Sequence, residues 1–496
     1  MKPPSPLAEL LLSDISDRPA IGSPGRPDLS IRALHEQVRE TVAALNEFGI
    51  GRNDRVATVL NNGPEMAAGF IGIAAAATAA PLNPSYKEAE FAFYMEDLRA
   101  KALMVAEGDK TPAIAAAARL GIPVIVLQPG PRAGAFRLIG SSANAPALPG
   151  PAQPDDVALI LHTSGTTSRP KLVPLSQRNI VRSATNVAAT LHLSQNDRGL
   201  IIMPLFHIHG LIAGLLAPLS AQGYVSCTTG FSALKFFGWF DEVHPTWYTA
   251  VPTMHQAILM RAPQNREVIA RNPLRFIRSS SSSMPMAIIH ELEHRFSVPL
   301  IEAYGMTEAA HQMASNPLPP GTRKPGTVGL AAGPEIAIMS KTAELLGPND
   351  PGEIVIRGAN VTLGYENNPK ANAESFTSGW FHTGDLGVLD ADGYLSISGR
   401  IKEIINRGGE KISPREIDEI LMEHPAVAQA VTFAIPHDKL GEEVGAAIVC
   451  REGAMTTAQE IREFVSAKVA AFKVPRQVLI LEEIPKGATG KIQRIG

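Results

Sequence analysis

Residues 161–175 read LHTSGTTSRPKLVPL and follow the apolar run VALI. A buried strand that ends in a polar loop is the usual ligand position of an α/β sheet. The outline, Gly165 followed at a distance by Pro170 and Lys171, nearly spells a glycine-and-lysine phosphate cradle. It departs at two places. The cradle needs a glycine before the lysine so that backbone N–H groups face phosphate, and Pro170 has no N–H. It also needs a hydroxyl after the lysine for magnesium, and Leu172 has no oxygen. A phosphate site here must work through Thr163, Ser164, Thr166, Thr167 and Lys171, with Gly165 giving the loop its freedom.

Bulk properties narrow the partners. With 496 residues the chain exceeds one compact core, so at least two domains are expected. The formal net charge is −3 and no block of like charge occurs, which argues against nucleic acid and anionic membrane as partners. Cys227 and Cys450 stand far apart without metal-type spacing, as expected of a reducing, cytoplasmic compartment. The N-terminus MKPPSPLAELLLSDISD has no signal-peptide core. The most apolar segment, 66–82, is alanine-rich and short of the roughly 20 residues of a membrane span. It reads as a buried helix with a strand after it.

Strand-like runs (RVATVL, VALILH, GLIIMPL) alternate with helical patterns over 30–48 and 176–191, predicting an α/β domain. The proline-rich stretch 144–156 reads as a loop or seam. Beyond GYLSISGR the pattern changes. Ser413, Pro414 and Glu416 spell a capping box with proline at the first helical position, and Thr457 and Glu460 spell another. With the apolar runs VAQAVTFAI, VGAAIVC and QVLILEEI they predict a small α+β module. Asp385 and Arg400 flank an Asp-Gly turn at Asp392 and Gly393, a hairpin pattern that would bring the two together.

The remaining polar signatures EAYGMTEAAHQM, GWFHTGDLG, GRIKEIINRGGEKISP and PKGATGKIQR follow the opening loop in the order of the adenylate-forming acyl-CoA synthetases, which the chain resembles over nearly its whole length. Within that superfamily HTSGTTSRPK, PLFHIHGLIAGLL, TWYTAVPTMHQ, SNPLP and INRGGEKISP resemble the plant and yeast oxalate–CoA ligases. The resemblance implies a large N-terminal domain of helix-flanked sheets (1–399), a hinge (400–402) and a small mobile α+β domain (403–496). It implies that ATP, Mg2+ and coenzyme A serve a two-step reaction through an acyl-adenylate. It places Tyr304 on adenine beside Gly305, Thr307 on phosphate, Glu308 on magnesium, and Asp385 with Arg400 on ribose. Lys491 would bridge substrate carboxylate and α-phosphate, and the small domain would then turn about Lys402 to bring Gly409 and Lys411 to coenzyme A. Ser168 and Leu172 stand where the family has glycines.

The acid is read from the remaining polar residues. Members that take fatty or aromatic acids line the acyl pocket with apolar groups, each buried methylene contributing about 0.8 kcal/mol. This chain carries His207 and His209 in FHIHG, serines from 279 to 283, and His311 three residues after Glu308. His209, Ser280 and His311 are read as binding a second carboxylate, and His207 as bordering the nucleotide. Oxalate is the expected acid; malonate or a short- or medium-chain monoacid is the alternative, and an inactive nucleotide-binding homologue the non-enzymatic one. Small molecules are the expected partners of a monomer or homodimer.

Overall fold

The apolar runs fold as two mixed sheets wrapped by helices, followed by an antiparallel sheet and a small α+β domain; the computed structural model describes residues 5–11, 15–141, 144–163, 170–487, 492 and 494. One sheet has nine strands, with six parallel ones in its interior, Leu300–Met306, Phe276–Ser279, Trp247–Ala250, Arg198–Ile201, Tyr224–Cys227 and Pro19–Ser23, and antiparallel strands outside them. The second has seven strands and likewise a parallel interior. Burial on both faces explains why these strands read as continuous apolar runs rather than alternating ones. The segment 66–82 forms the end of the buried helix Pro64–Ala76 and the strand Thr78–Pro81, as expected.

The opening loop joins two neighbouring strands. Val157–Thr163 and Lys171–Ser176 pair antiparallel, with Thr163 opposite Lys171, so the loop's two ends stand side by side at the edge of the seven-stranded sheet. The described ends of the loop thus lead from strand to strand and not into a helix, unlike a phosphate cradle that opens one. Ser164, Gly165, Thr166 and Thr167 lie outside the described residues, and so does Lys491.

Asp385 on Trp380–Leu389 pairs in register with Arg400 on Leu395–Arg400, and Gly393 takes φ +83° at the turn between them. Downstream, a separate apolar cluster built on Ile405, Ile417, Leu421, Val444, Ile448, Ile461 and Val465 forms the core of the small domain. Its two helices start differently. Thr457 accepts from Glu460 N at 3.2 Å while Glu460 receives Thr457 N at 2.8 Å, the expected capping box. The box expected at Ser413 does not form: its hydroxyl donates to the Ser398 carbonyl, and Glu416 receives Lys473 Nζ at 2.6 Å.

Candidate active site

The carboxyl ends of the parallel strands in the nine-stranded sheet face the small domain, a common ligand position in such sheets. Between them lies a cavity of about 260 Å³ whose walls include Ser281, Tyr304, Asp385 and Arg400 from the large domain and Ile492 and Arg494 from the small one.

Beneath the cavity lies Arg278, fully buried and without a carboxylate partner among the described residues. Burial pulls its guanidinium down to about 9. Its Nη2 lies 3.1 Å from His311 Nε2 and 3.2 Å from Gln312 Oε1. Its Nη1 lies 3.4 Å from His209 Nε2 and 3.3 Å from Thr249 Oγ1. A guanidinium only donates, so His311 Nε2 accepts and its ring proton sits on Nδ1. The same holds for His209, whose Nε2 also meets Thr249 Oγ1 at 2.7 Å and whose Nδ1–H donates to Ser281 Oγ at 3.1 Å. Ser281 can then direct its own proton into the cavity. The two imidazoles stack with centroids 4.9 Å apart, and burial, first, then neighbouring positive charge hold both well below the usual histidine range. They are neutral rings. Ser281 and His311 take φ +74° and +100°, conformations that cost non-glycine residues about 1–3 kcal/mol each.

On the other wall Tyr304 donates its hydroxyl to Asp385, and Arg400 Nε reaches the same carboxylate at 2.9 Å. Gly305 lies within a strand rather than a turn; a Cβ there would fall 1.8 Å from the His311 carbonyl, so the close approach of these strands needs glycine. Glu308 opens toward this region from the short turn Thr307–Ala309. It is 6 % exposed, burial raises its carboxyl, and Tyr365 donates to it at 2.8 Å. Lys171 Nζ lies 4.2 Å from the Tyr365 ring centre, which brings the end of the opening loop to the same corner.

Of the residues expected from sequence, Tyr304, Gly305, Asp385 and Arg400 line the cavity, and His209 and His311 join through Arg278 beneath it. His207, half-buried, accepts the His209 backbone N–H at 3.4 Å. Ser280 is buried with its hydroxyl unpartnered, and the serine that meets His209 is Ser281. Lys402, Gly409 and Lys411 are exposed and do not line the cavity; Gly408 and Gly409 form a two-residue hairpin turn with φ +60° and +102°. Arg278, Ser281 and Tyr365 are the residues that reading by motif passes over. The available signal for Arg278 was a charge set inside the apolar strand run FIRS.

Comparison with known proteins places this arrangement. Residues 14–366 match the family model of the AMP-binding enzyme, and residues 416–491 match that of the AMP-binding enzyme C-terminal domain. The chain is 45% identical to an oxalate–CoA ligase of Arabidopsis thaliana, covering 99% of this chain and 97% of that protein. It is 44% identical to an oxalate–CoA ligase of Saccharomyces cerevisiae, covering 94% and 90%. Among solved structures, ATP-bound MatB of Rhodopseudomonas palustris overlays with a TM-score of 0.88 at 27% identity, covering 99% of this chain and 97% of that one. The apo form of the same protein overlays at 0.78 with the same coverage, so the difference is one of conformation.

The histidine next to this site carries a pH signature. His255 Nε2 donates to the Arg278 carbonyl at 3.2 Å, and burial pushes its imidazole down to about 4. From pH 6.5 down to 4 the unfolded chain binds a proton at this residue and the folded chain does not, so stability falls as pH falls. At 1.36 kcal/mol per unit the loss is about 3 kcal/mol. Urea unfolding of wild type and His255→Gln across that range should show the wild-type advantage shrinking by about this amount toward pH 4; a constant difference would mean that His255 is charged in the fold.

Proposed function

This chain belongs to the AMP-binding enzyme family and is an AMP-forming acid–CoA ligase; we propose that oxalate is the acid it activates. The observation that carries the choice is the buried guanidinium of Arg278, held by two neutral imidazoles and lacking an acidic partner among the described residues. A buried charge without a counter-charge costs several kcal/mol. A second carboxylate on the substrate supplies that counter-charge, and an aliphatic tail does not. Oxalate has no methylene between its carboxyls, so its second group must be read next to the reacting one. His311, opposite Met306 in register and three residues from Glu308, stands there. The two oxalate–CoA ligase relatives support the same choice.

In the first half-reaction a carboxylate oxygen attacks the α-phosphorus of ATP, the bond to the bridging oxygen breaks, and pyrophosphate leaves with its electron pair. In the second, the sulfur of coenzyme A attacks the acyl carbon, the acyl–oxygen bond to AMP breaks, and the thiol proton is lost to water. Tyr304 presents its ring to adenine, and Asp385 and Arg400 present an acceptor and donors to the ribose. Lys171, Thr163 and Thr307 serve the phosphates, and the hydroxyls of Ser164, Thr166 and Thr167, outside the described residues, are assigned the same role. His207 borders the nucleotide, while His209, which carries Ser281, and His311 orient the acid with Arg278. Lys491 neutralises charge as the adenylate forms. Among the described residues no group of three or more histidine, cysteine or acidic side chains could cage a cation by itself. Glu308 is a lone buried carboxylate beside the phosphate-facing lysine, which fits Mg2+ held by one carboxylate and substrate oxygens. When bound there, the ion supplies charge neutralisation to the phosphates. Among the described residues no helix is long and apolar enough to cross a membrane.

The substrate reading is tested by pyrophosphate release and thioester formation with oxalate, malonate, propionate, butyrate and octanoate. Oxalate should be preferred, and Arg278→Met should lower its kcat/KM at least about 100-fold, read on protein whose circular dichroism matches wild type, because the substitution also leaves His209, His311 and Gln312 without a donor. His311→Leu should shift preference toward propionate and butyrate with ATP affinity near wild type. Efficient use of octanoate over every dicarboxylate would exclude the proposal.

The division of labour between domains gives a second test. Lys491→Ala should abolish acid-dependent ATP–pyrophosphate exchange yet convert supplied acyl-adenylate to thioester, and Gly409→Leu should do the reverse. Equal loss of both steps in both variants would count against two orientations of the small domain.

A further inference from the structure

Two helices of the small domain open with the same sequence pattern, and only one uses it. Thr457 caps its helix; Ser413 leaves the first turn of Pro414–Met422 without a side-chain cap and spends its hydroxyl on the Ser398 carbonyl. An uncapped helix start is destabilising, so the diverted bond needs another reason. Arg415 is misplaced in the same turn, where positive charge opposes the helix dipole. Its Nη1 donates to the Ile397 carbonyl at 2.6 Å, and Glu419 one turn on fixes the guanidinium through Nε at 2.9 Å. The side chain is 17% exposed. Ile397 and Ser398 belong to the last strand before residues 400–402; Ser413 and Arg415 come after them. Both bonds therefore cross the segment about which the small domain is expected to turn, and a turn there must break them. They are made in an orientation closer to ATP-bound MatB than to its apo form, with Ile492 and Arg494 in the nucleotide cavity wall.

We propose that Ser413 and Arg415 form a latch across the hinge that holds the small domain in the adenylation orientation, and that its release gates thioester formation. The proposal rests on the two-orientation reading of the enzyme. Arg415 also lines the cavity; in the latch it is a positioning residue, acting through the placement of the small domain. A charged donor on a carbonyl is worth enough to shift the balance of two orientations on the order of tenfold or more.

The test separates the half-reactions. Arg415→Ala should lower acid-dependent ATP–pyrophosphate exchange about tenfold, leave thioester formation from supplied adenylate unchanged or faster, and be partly rescued by Arg415→Lys. Ser413→Asp restores a cap to the helix but cannot donate to Ser398; it should raise thermal stability and still slow exchange, which a merely structural role would not do. A covalent version is available, because a Cβ built at Gly399 would lie 3.2 Å from Ser413 Oγ, close to the spacing of a Cβ and the far sulfur across a disulfide. Oxidised Gly399→Cys/Ser413→Cys, in a Cys450→Ser background, should retain exchange and lose thioester formation until reduced. Parallel loss of both half-reactions, or no loss in either, would overturn the latch, as would thioester formation by the oxidised pair at the reduced rate. Wild type lacking acid-dependent exchange with every acid would instead overturn the ligase reading itself.

Discussion

A guanidinium buried without a carboxylate partner among the described residues is the constraint around which the acid-binding side of this protein is organised. Its donors must be met, because a buried charge with unmet hydrogen bonds is among the most costly features a fold can hold. Thr249, His209, His311 and Gln312 meet those of Nη1 and Nη2, while Nε finds no partner among the described residues, and each acceptor is fixed by what it accepts. Fixing the acceptors fixes the tautomers, and the tautomers decide which ring atoms remain donors. One buried arginine thus sets the hydrogen-bond polarity of two histidines and, through His209, of the Ser281 hydroxyl in the cavity wall.

The fold supplies the place for such a cluster. Thr249 and Arg278 come from adjacent parallel strands that end at the same level, and Tyr304 from the next. After Ala309 the chain reverses and returns antiparallel along Leu300–Met306, which carries His311 and Gln312 back beside Arg278. That return requires Gly305, whose missing side chain lets the His311 carbonyl approach, and positive φ at Ala310 and His311. His209 arrives from the opposite direction, at the head of a π-helical segment, a form often kept at functional sites. Strain at Ser281 and His311 is tolerated because the surrounding sheets over-determine those positions.

Much of this was legible in the sequence, and the limits have physical causes. The apolar strand runs, the helix after Pro64 and the Asp385–Arg400 hairpin are local patterns, and local patterns carry to the structure. Tyr304, Gly305, Asp385 and Arg400 were singled out by short motifs of fixed chemistry, and the structure brings them to one cavity wall. Arg278 was not, because its role depends on four residues up to 69 positions away that only the sheet brings together. Ser280 was chosen over Ser281 because five serines in a row are alike until the backbone sorts them: Ser280 alone of the five does not line the cavity, while Ser281, at φ +74°, meets His209. The Ser413 capping box failed for a related reason: the pattern was local, but a carbonyl across the hinge competed for the hydroxyl and won.

On the oxalate reading, the use of neutral imidazoles rather than further cations follows from the substrate. The two carboxyls of oxalate share a bond, so any charge that neutralises one acts strongly on the other. One must stay anionic and nucleophilic while its neighbour is held. A second full cation beside Arg278 would draw electron density from both and weaken the attack on phosphorus, whereas a neutral ring donates a hydrogen bond without offering a proton. The depressed basicity of His209 and His311, caused first by burial and then by nearby positive charge, is what keeps them in that state. Burial, reinforced by the guanidinium that needs the substrate's second carboxylate, therefore keeps the two histidines from protonating the first.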